Sequence, residues 1–246
     1  MTGTLAEIGA LAALAFAGSV VFGVTGFGAA LVVMPLATHL VPLSFALALY
    51  VLMDLANSAR IGLENPRQAV RAEWARLAPM ILAGTVAGVT LLVNLPRKAG
   101  MAALGAFVVC YAIYALLPHP QGRRLRSFWA WPAGFAGGVT SALFGAGGPP
   151  YVIYLSQRGL TKEQFRATLG LTTLTSISLR TIAFLASGLL LDARVWLYAA
   201  AVVPAAWLGL SLARRIYLAV SRETLMRAVA AVLLASGLSL LARVLT

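Results

Sequence analysis

Between Arg126 and Arg158 the chain runs for 31 residues, Ser127 to Gln157, without a charged side chain. A spanning helix needs about 20 apolar residues, and two need about 40 plus a turn, so this run is too long for one membrane crossing and too short for two. Its middle reads Gly145-Ala146-Gly147-Gly148-Pro149-Pro150. Glycine permits a tight turn there. Proline suits the first position of a new helix, where its missing N–H has no helical partner anyway. The run therefore predicts a helix, a break at membrane depth, and a second half-helix. An earlier charge-free run, Ile8 to Met53, carries Gly23-Val24-Thr25-Gly26-Phe27-Gly28 at the corresponding place. Non-helical backbone at such depth persists only where protein or a watery cavity satisfies its polar groups.

The rest of the chain agrees with a bilayer as its main solvent. Of 246 residues 61% are hydrophobic and 11% charged, and the mean hydropathy is +0.89. Further charge-free stretches cover Leu77 to Pro96, Ala99 to Gly122, Val195 to Ala213 and Ala228 to Ala242. The formal charge of +12 raises the question of nucleic acid. Its Arg and Lys, however, sit in short clusters between apolar runs, the placement of cytoplasmic loops facing anionic lipid. Cys110, the single cysteine, leaves no intramolecular disulfide and no cysteine-rich metal site. With Glu7 and no Lys or Arg before Arg60, the N-terminus lacks the basic start of a signal peptide, so the first segment is expected to be retained.

Shifting the chain by 119 residues places Phe16, Ala17, Gly18, Val20, Gly26 and Gly28 on Phe135, Ala136, Gly137, Val139, Gly145 and Gly147. At a shift of 125, Pro79, Gly84, Arg97, Met101 and Ala103 fall on Pro204, Gly209, Arg222, Met226 and Ala228. Chance among Ala, Gly and Leu is the competing explanation. The glycine spacings and the order of segments favour a duplication, with repeats 1–122 and 123–246 forming one transport domain. Each half reads as one long apolar segment and three ordinary helices, at about 5–40, 43–61, 73–94 and 97–117, then 128–157, 163–188, 194–213 and 221–244.

Loop charges arbitrate between two architectures. If the long segments cross once, the halves are parallel and the basic residues divide nine to eight. If both are re-entrant hairpins, the halves are inverted and one face collects fourteen against four. The richer face holds the loops around Arg67, Arg123, Arg158 and Arg214; the poorer keeps Arg97, Lys98, Arg194 and Arg243. Cytoplasmic loops carry the excess of Lys and Arg, so inverted repeats with both termini outside are expected. The fold class is thus all-α, a polytopic membrane protein of two four-segment halves whose first segments are broken or re-entrant.

Gly23-x-x-Gly26-x-Gly28, followed by Pro35, and its partner Gly145-x-Gly147-Gly148-Pro149 open two halves of about 120 residues. In this the chain resembles the TauE/SafE permeases over nearly its whole length. Ala29 and Ala30 depart from the pattern, standing where many relatives have further glycine. The resemblance implies a secondary transporter of sulfite or an organosulfonate in the bacterial inner membrane, here expected to work by proton-coupled export. The expected partners are a small anionic substrate and membrane lipid, with a homodimer as an option and no nucleic acid. No cofactor, metal or catalytic set is expected.

A break followed by a fresh helix presents unpaired N–H groups and a partial positive charge, both suited to an anion. The candidates are Thr25, Gly26, Phe27 and Gly28 with Gly145, Ala146, Gly147 and Gly148; the competing reading is glycine for close helix packing. Asp54 is the only acidic residue well inside a span, with Asn57 three residues on and on the same helical face. A carboxylate there is costly unless paired, hydrated or protonated. It either carries the coupling proton or joins a packing network with Asn57. Thr172, Thr173 and Ser176 offer hydroxyls to an oxyanion, or bond their own helix. Arg180 either binds the anion or snorkels to the far interface, with the balance slightly toward snorkelling. His39 and His119 lie at loop ends with no carboxylate or second histidine beside them. The rival functions are an intramembrane enzyme, which lacks a His-Glu-x-x-His or paired-aspartate set, and a membrane assembly partner.

Overall fold

The structure is a computed structural model, and it describes residues 2–25, 29–62, 66–117, 125–219, 231 and 233–242. Among these residues the regular structure is helical throughout. The first long segment is α1 (Thr2–Thr25) and α2 (Ala29–Ala37), and the later one is α6 (Ala130–Phe144) and α7 (Gly148–Ser156). Between them come α3 (Leu43–Gly62), α4 (Arg71–Asn94) and α5 (Arg97–Leu116). After them come α8 (Lys162–Ala186), α9 (Ala193–Ala219) and α10 (Leu233–Ala242). The second break falls at Gly145 to Gly147, inside the glycine cluster that predicts it. Gly26, Phe27, Gly28 and His119 lie outside the described residues, as does the side chain of Thr25.

Among the described residues, five helices are long and apolar enough to cross a membrane: Leu5–Val24, Arg71–Asn94, Lys98–Leu116, Lys162–Ala186 and Ala193–Ala213. α3 is not among them, since its second half carries Asp54, Asn57, Ser58 and Arg60. Large apolar side chains such as Leu82 and Val86 on α4, and Trp207 and Leu208 on α9, point outward, as a surface solvated by hydrocarbon chains requires.

Both broken segments fold back on themselves. A side chain at Gly18 in α1 would strike Val33 and the Ala29 carbonyl of α2, and one at Gly137 in α6 would strike the Tyr151 ring of α7. At the base of the second hairpin the Leu125 amide donates to the Gln157 carbonyl at 3.1 Å, so its two ends lie side by side. α6 stops because Gly145 adopts φ 71°. This left-handed residue lets the Gly145 and Ala146 amides close on the Ser141 and Thr140 carbonyls at 2.9 and 3.2 Å, a glycine-based C-cap.

The helices then pair across the chain. α1 packs on α9, α6 packs on α4, and α3 meets α8 between them. Both outer pairs use the close approach that small residues allow in membranes. A Cβ on Gly84 of α4 would coincide with the Phe135 carbonyl of α6, and one on Gly209 of α9 with the Phe16 carbonyl of α1. These four residues are the ones the two sequence shifts superpose. A second contact repeats with its partners exchanged: Gly88 of α4 abuts Ala142 of α6, while Ala213 of α9 abuts Gly23 of α1. Pro79 and Pro204 sit inside α4 and α9 at superposed positions, each removing one backbone bond from its helix. α5 and α10 cross at Gly105 and Gly237, where a Cβ on either would stand 3.2 Å from the other's carbonyl.

Candidate functional site

α8 brings the central chemistry together. Its residues Thr173, Ser176 and Arg180, spaced by three and four, lie on one stripe that faces α3 and the tip of the second hairpin. Arg180 does not snorkel. It is 1% exposed, donates Nη2 to Asp54 Oδ2 at 2.7 Å and Nη1 to the Ser141 carbonyl at 2.9 Å, and lies over the Phe184 ring. Its Nε has no hydrogen-bond partner. The cation thus sits at the C-terminal end of α6, where unsatisfied carbonyls and the helix dipole favour positive charge. Snorkelling fails because Asp54, itself 4% exposed, is within reach at the same depth and a paired charge can stay buried.

The pocket beside this pair is lined by Phe22, Ala29, Ala30, Asp54, Ser141, Gly145, Ala146, Gly147, Gly148, Tyr151, Thr173, Ser176 and Ile177. Its free space is about 20 Å³, room for one water molecule. Its polar lining holds the Asp54 carboxylate together with hydroxyl and backbone groups, while Arg180 pairs with Asp54 from outside the lining. Tyr151 gives its hydroxyl proton to Ser176 Oγ at 3.0 Å, which leaves the Ser176 proton available. The Thr173 hydroxyl is buried and has no partner. The amides of Gly147 and Gly148 open α7 and bond no described residue, whereas Pro149 and Pro150 have none to offer. Neutral donors of this kind suit an oxyanion, while the Asp54 carboxylate in the same lining opposes one unless it stays paired or is protonated.

Several candidate residues play other parts. The Gly145 and Ala146 amides are spent on capping α6, so their place in the wall is steric. A Cβ on Gly147 would stand 2.7 Å from the Gly137 carbonyl and 2.9 Å from Ser141 Cβ, so this glycine is also needed for the hairpin's packing. Thr172 bonds back to the Thr168 carbonyl of its own helix at 2.7 Å and does not line the pocket. Asn57 donates to Ser19 Oγ at 2.9 Å and ties α3 to α1 rather than joining Asp54. No group of three or more His, Cys, Asp or Glu among the described residues is placed to hold a metal.

One ionic cluster escaped the sequence reading. Glu73 at the start of α4 is 5% exposed. It pairs with Arg158 and Arg76 at 2.8 Å each and accepts the Tyr154 hydroxyl proton. Arg158 also donates to the Leu125 carbonyl, so the cluster locks the base of the α6–α7 hairpin to α4. Glu73 and Arg158 are 85 residues apart, a pairing that no local spacing announces.

Comparison with known proteins gives this geometry its context. The family described as "Sulfite exporter TauE/SafE" matches residues 10–240. The chain is 31% identical over 240 residues to the "Probable sulfite/organosulfonate exporter TauE" of Cupriavidus necator, covering 94% of this chain and 92% of that one. It is 26% identical over 196 residues to the "Probable inner membrane transporter protein TsaS" of Comamonas testosteroni, covering 78% and 81%. No solved structure gives a significant match. With a family match that spans nearly every helix and a relative aligned almost end to end, the chain belongs to the TauE/SafE sulfite exporter family.

Proposed function

We propose that this protein exports a small sulfur-containing anion, sulfite or an organosulfonate, across the bacterial inner membrane, with a proton carried on Asp54. The observation that carries this reading is the buried Arg180–Asp54 pair, whose carboxylate lines a pocket beside the hydroxyls of Thr173 and Ser176. An entering oxyanion competes with Asp54 for the Arg180 guanidinium, and the displaced carboxylate then takes up a proton so that no unpaired charge is left buried. Proton and anion therefore favour each other's binding, the linkage a cotransporter needs. A dianion accompanied by one proton carries one net negative charge outward. An inside-negative potential favours that movement by about 2.3 kcal/mol per 100 mV. The substrate class follows the names of the two relatives.

Flux of radiolabelled sulfite in proteoliposomes tests the reading. A pH gradient is expected to drive accumulation by the native protein. Asp54→Asn is expected to lose that response while retaining sulfite exchange, because Arg180 remains to hold the anion. Gradient-driven accumulation by the Asn variant would exclude Asp54 as the proton carrier.

The architecture proposed to support this cycle is two inverted repeats, 1–122 and 123–246, with re-entrant first segments and both termini outside. The fourteen-to-four charge division, the closed base of the second hairpin and the exchanged α1–α9 and α4–α6 contacts all support it. Single cysteines at the exposed Lys98 and Lys162, in a Cys110→Ala background, separate it from eight simple crossings. An impermeant maleimide on intact cells is expected to label position 98 and spare 162. Labelling of both, or of neither until the cells are opened, would place the two on one face and defeat the inverted arrangement.

A further inference from the structure

Resting on the transport reading above, we infer that Phe184 and the capped end of α6 form a fixed seat for Arg180, which exchanges Asp54 for the transported anion along its Nε–Nη2 edge. Phe184 follows Arg180 by one turn of α8, with its ring centroid 5.9 Å from the guanidinium carbon. The ring is 0% exposed and travels with the cation wherever α8 goes. On the other side Nη1 donates to the Ser141 carbonyl at 2.9 Å, and the Gly145 amide donates to the same oxygen at 2.9 Å. Both lone pairs of that carbonyl are thereby used, so the left-handed turn at Gly145 that closes α6 also fixes where the guanidinium stands. The fit is close, since a Cβ on Gly145 would lie 3.0 Å from Nη1. Asp54 reaches the same cation from α3, in the other half of the chain.

These contacts divide the guanidinium. Nη1 is committed to α6, while Nε and Nη2 carry parallel N–H groups along another edge, a fork able to bind two oxygens of one carboxylate or oxyanion together. Asp54 takes Nη2 at 2.7 Å, and Nε has no partner although the side chain is 1% exposed. Half of a two-pronged site is therefore unspent at membrane depth. An oxyanion that offers two oxygens to this edge exchanges one hydrogen bond for two, which is its advantage over the carboxylate it displaces. The free space beside the pair, about 20 Å³, holds one water and not such an anion. Room comes from Asp54 itself, which withdraws with α3 once protonated, so its carboxylate marks the place the anion's oxygens take. With that counter-ion gone, the Phe184 face and the α6 carbonyl keep the cation buried and its fork aimed at the same place.

Phe184 is thus a positioning residue, and replacing it with trifluorophenylalanine by nonsense suppression tests the seat. Fluorine drains negative charge from the ring face and leaves its shape and apolarity nearly unchanged. Sulfite binding by calorimetry is expected to weaken by about fivefold to tenfold, within the range of a desolvated cation–ring contact, while thermal unfolding stays as in the native protein. A ring that served packing alone would leave binding unmoved. Arg180→Lys tests the edge, because the ammonium keeps the charge and lacks the fork, and sulfite affinity is expected to fall by about tenfold or more. Native affinity in the fluorinated protein would overturn the seat, and native affinity in Arg180→Lys would overturn exchange at the Nε–Nη2 edge. A native protein that neither binds nor moves sulfite would instead overturn the transport reading, and this inference with it.

Discussion

Arg180→Ala is expected to abolish anion binding and to cost about 3–5 kcal/mol of stability, because it strips the partner from a buried carboxylate. Asp54 is 4% exposed and pairs with Arg180 at 2.7 Å. The loss separates into two parts. Asp54→Asn with Arg180→Gln removes both charges and keeps the side-chain volumes, so most of the stability is expected to return. Transport is not, since the guanidinium proposed to hold the oxyanion is gone. Thermal unfolding in detergent measures the first part, and sulfite binding by calorimetry on the same samples measures the second. A double variant as unstable as the single one would show that the pair supports the fold through geometry rather than charge. Sulfite binding in the double variant would move the anion site away from Arg180.

The second large effect concerns the helix pairs that hold the hairpins. Gly88→Ala is expected to destabilise the protein by about 1–3 kcal/mol, the usual cost of an added carbon in a filled interface. The new Cβ would lie 2.7 Å from Ala142 Cβ and 2.9 Å from the Val139 carbonyl. Adding Ala142→Gly reproduces the arrangement already present on the other side, where Ala213 meets Gly23, and is expected to recover much of the loss. Recovery will be incomplete, since glycine inside a helix costs up to about 1 kcal/mol relative to alanine. Gly84→Ala serves as the contrast, because its Cβ would land on the Phe135 backbone carbonyl and no side chain can be trimmed to admit it. The two interfaces are interchangeable if the double variant outperforms Gly88→Ala alone. An additive double variant, with no coupling between the two sites, would rule out that equivalence.

The helices were legible because a bilayer imposes blunt requirements on a chain: long apolar runs, basic loops, and glycine or proline wherever a run must break. The break at Gly145, and the four ordinary helices from α3 to α5 and at α8, all fall where that grammar puts them. α9 extends to Ala219, six residues past the expected end, because Arg214 and Arg215 closed the apolar run without closing the helix. At the 119-residue shift Asp54 and Asn57 fall on Thr173 and Ser176, both of which line the pocket. Thr172 does not, since a helix turns 100° between neighbours and its hydroxyl bonds its own backbone.

What the sequence by itself determined is the helical membrane class, the family, and the position of the break at Gly145. Each of these is written in local composition or in a fixed period, so it survives without knowledge of contacts. Only the tertiary structure decided that Arg180 is buried against Asp54 instead of reaching for water, that Asn57 serves α1, that Gly145 and Ala146 spend their amides on a cap, and that Glu73 clamps the second hairpin. The physical reason is common to all four. The fate of a polar group inside a membrane protein depends on whether a partner stands at its depth, and Arg180 and Asp54 are brought together across 126 residues by the meeting of α8 with α3.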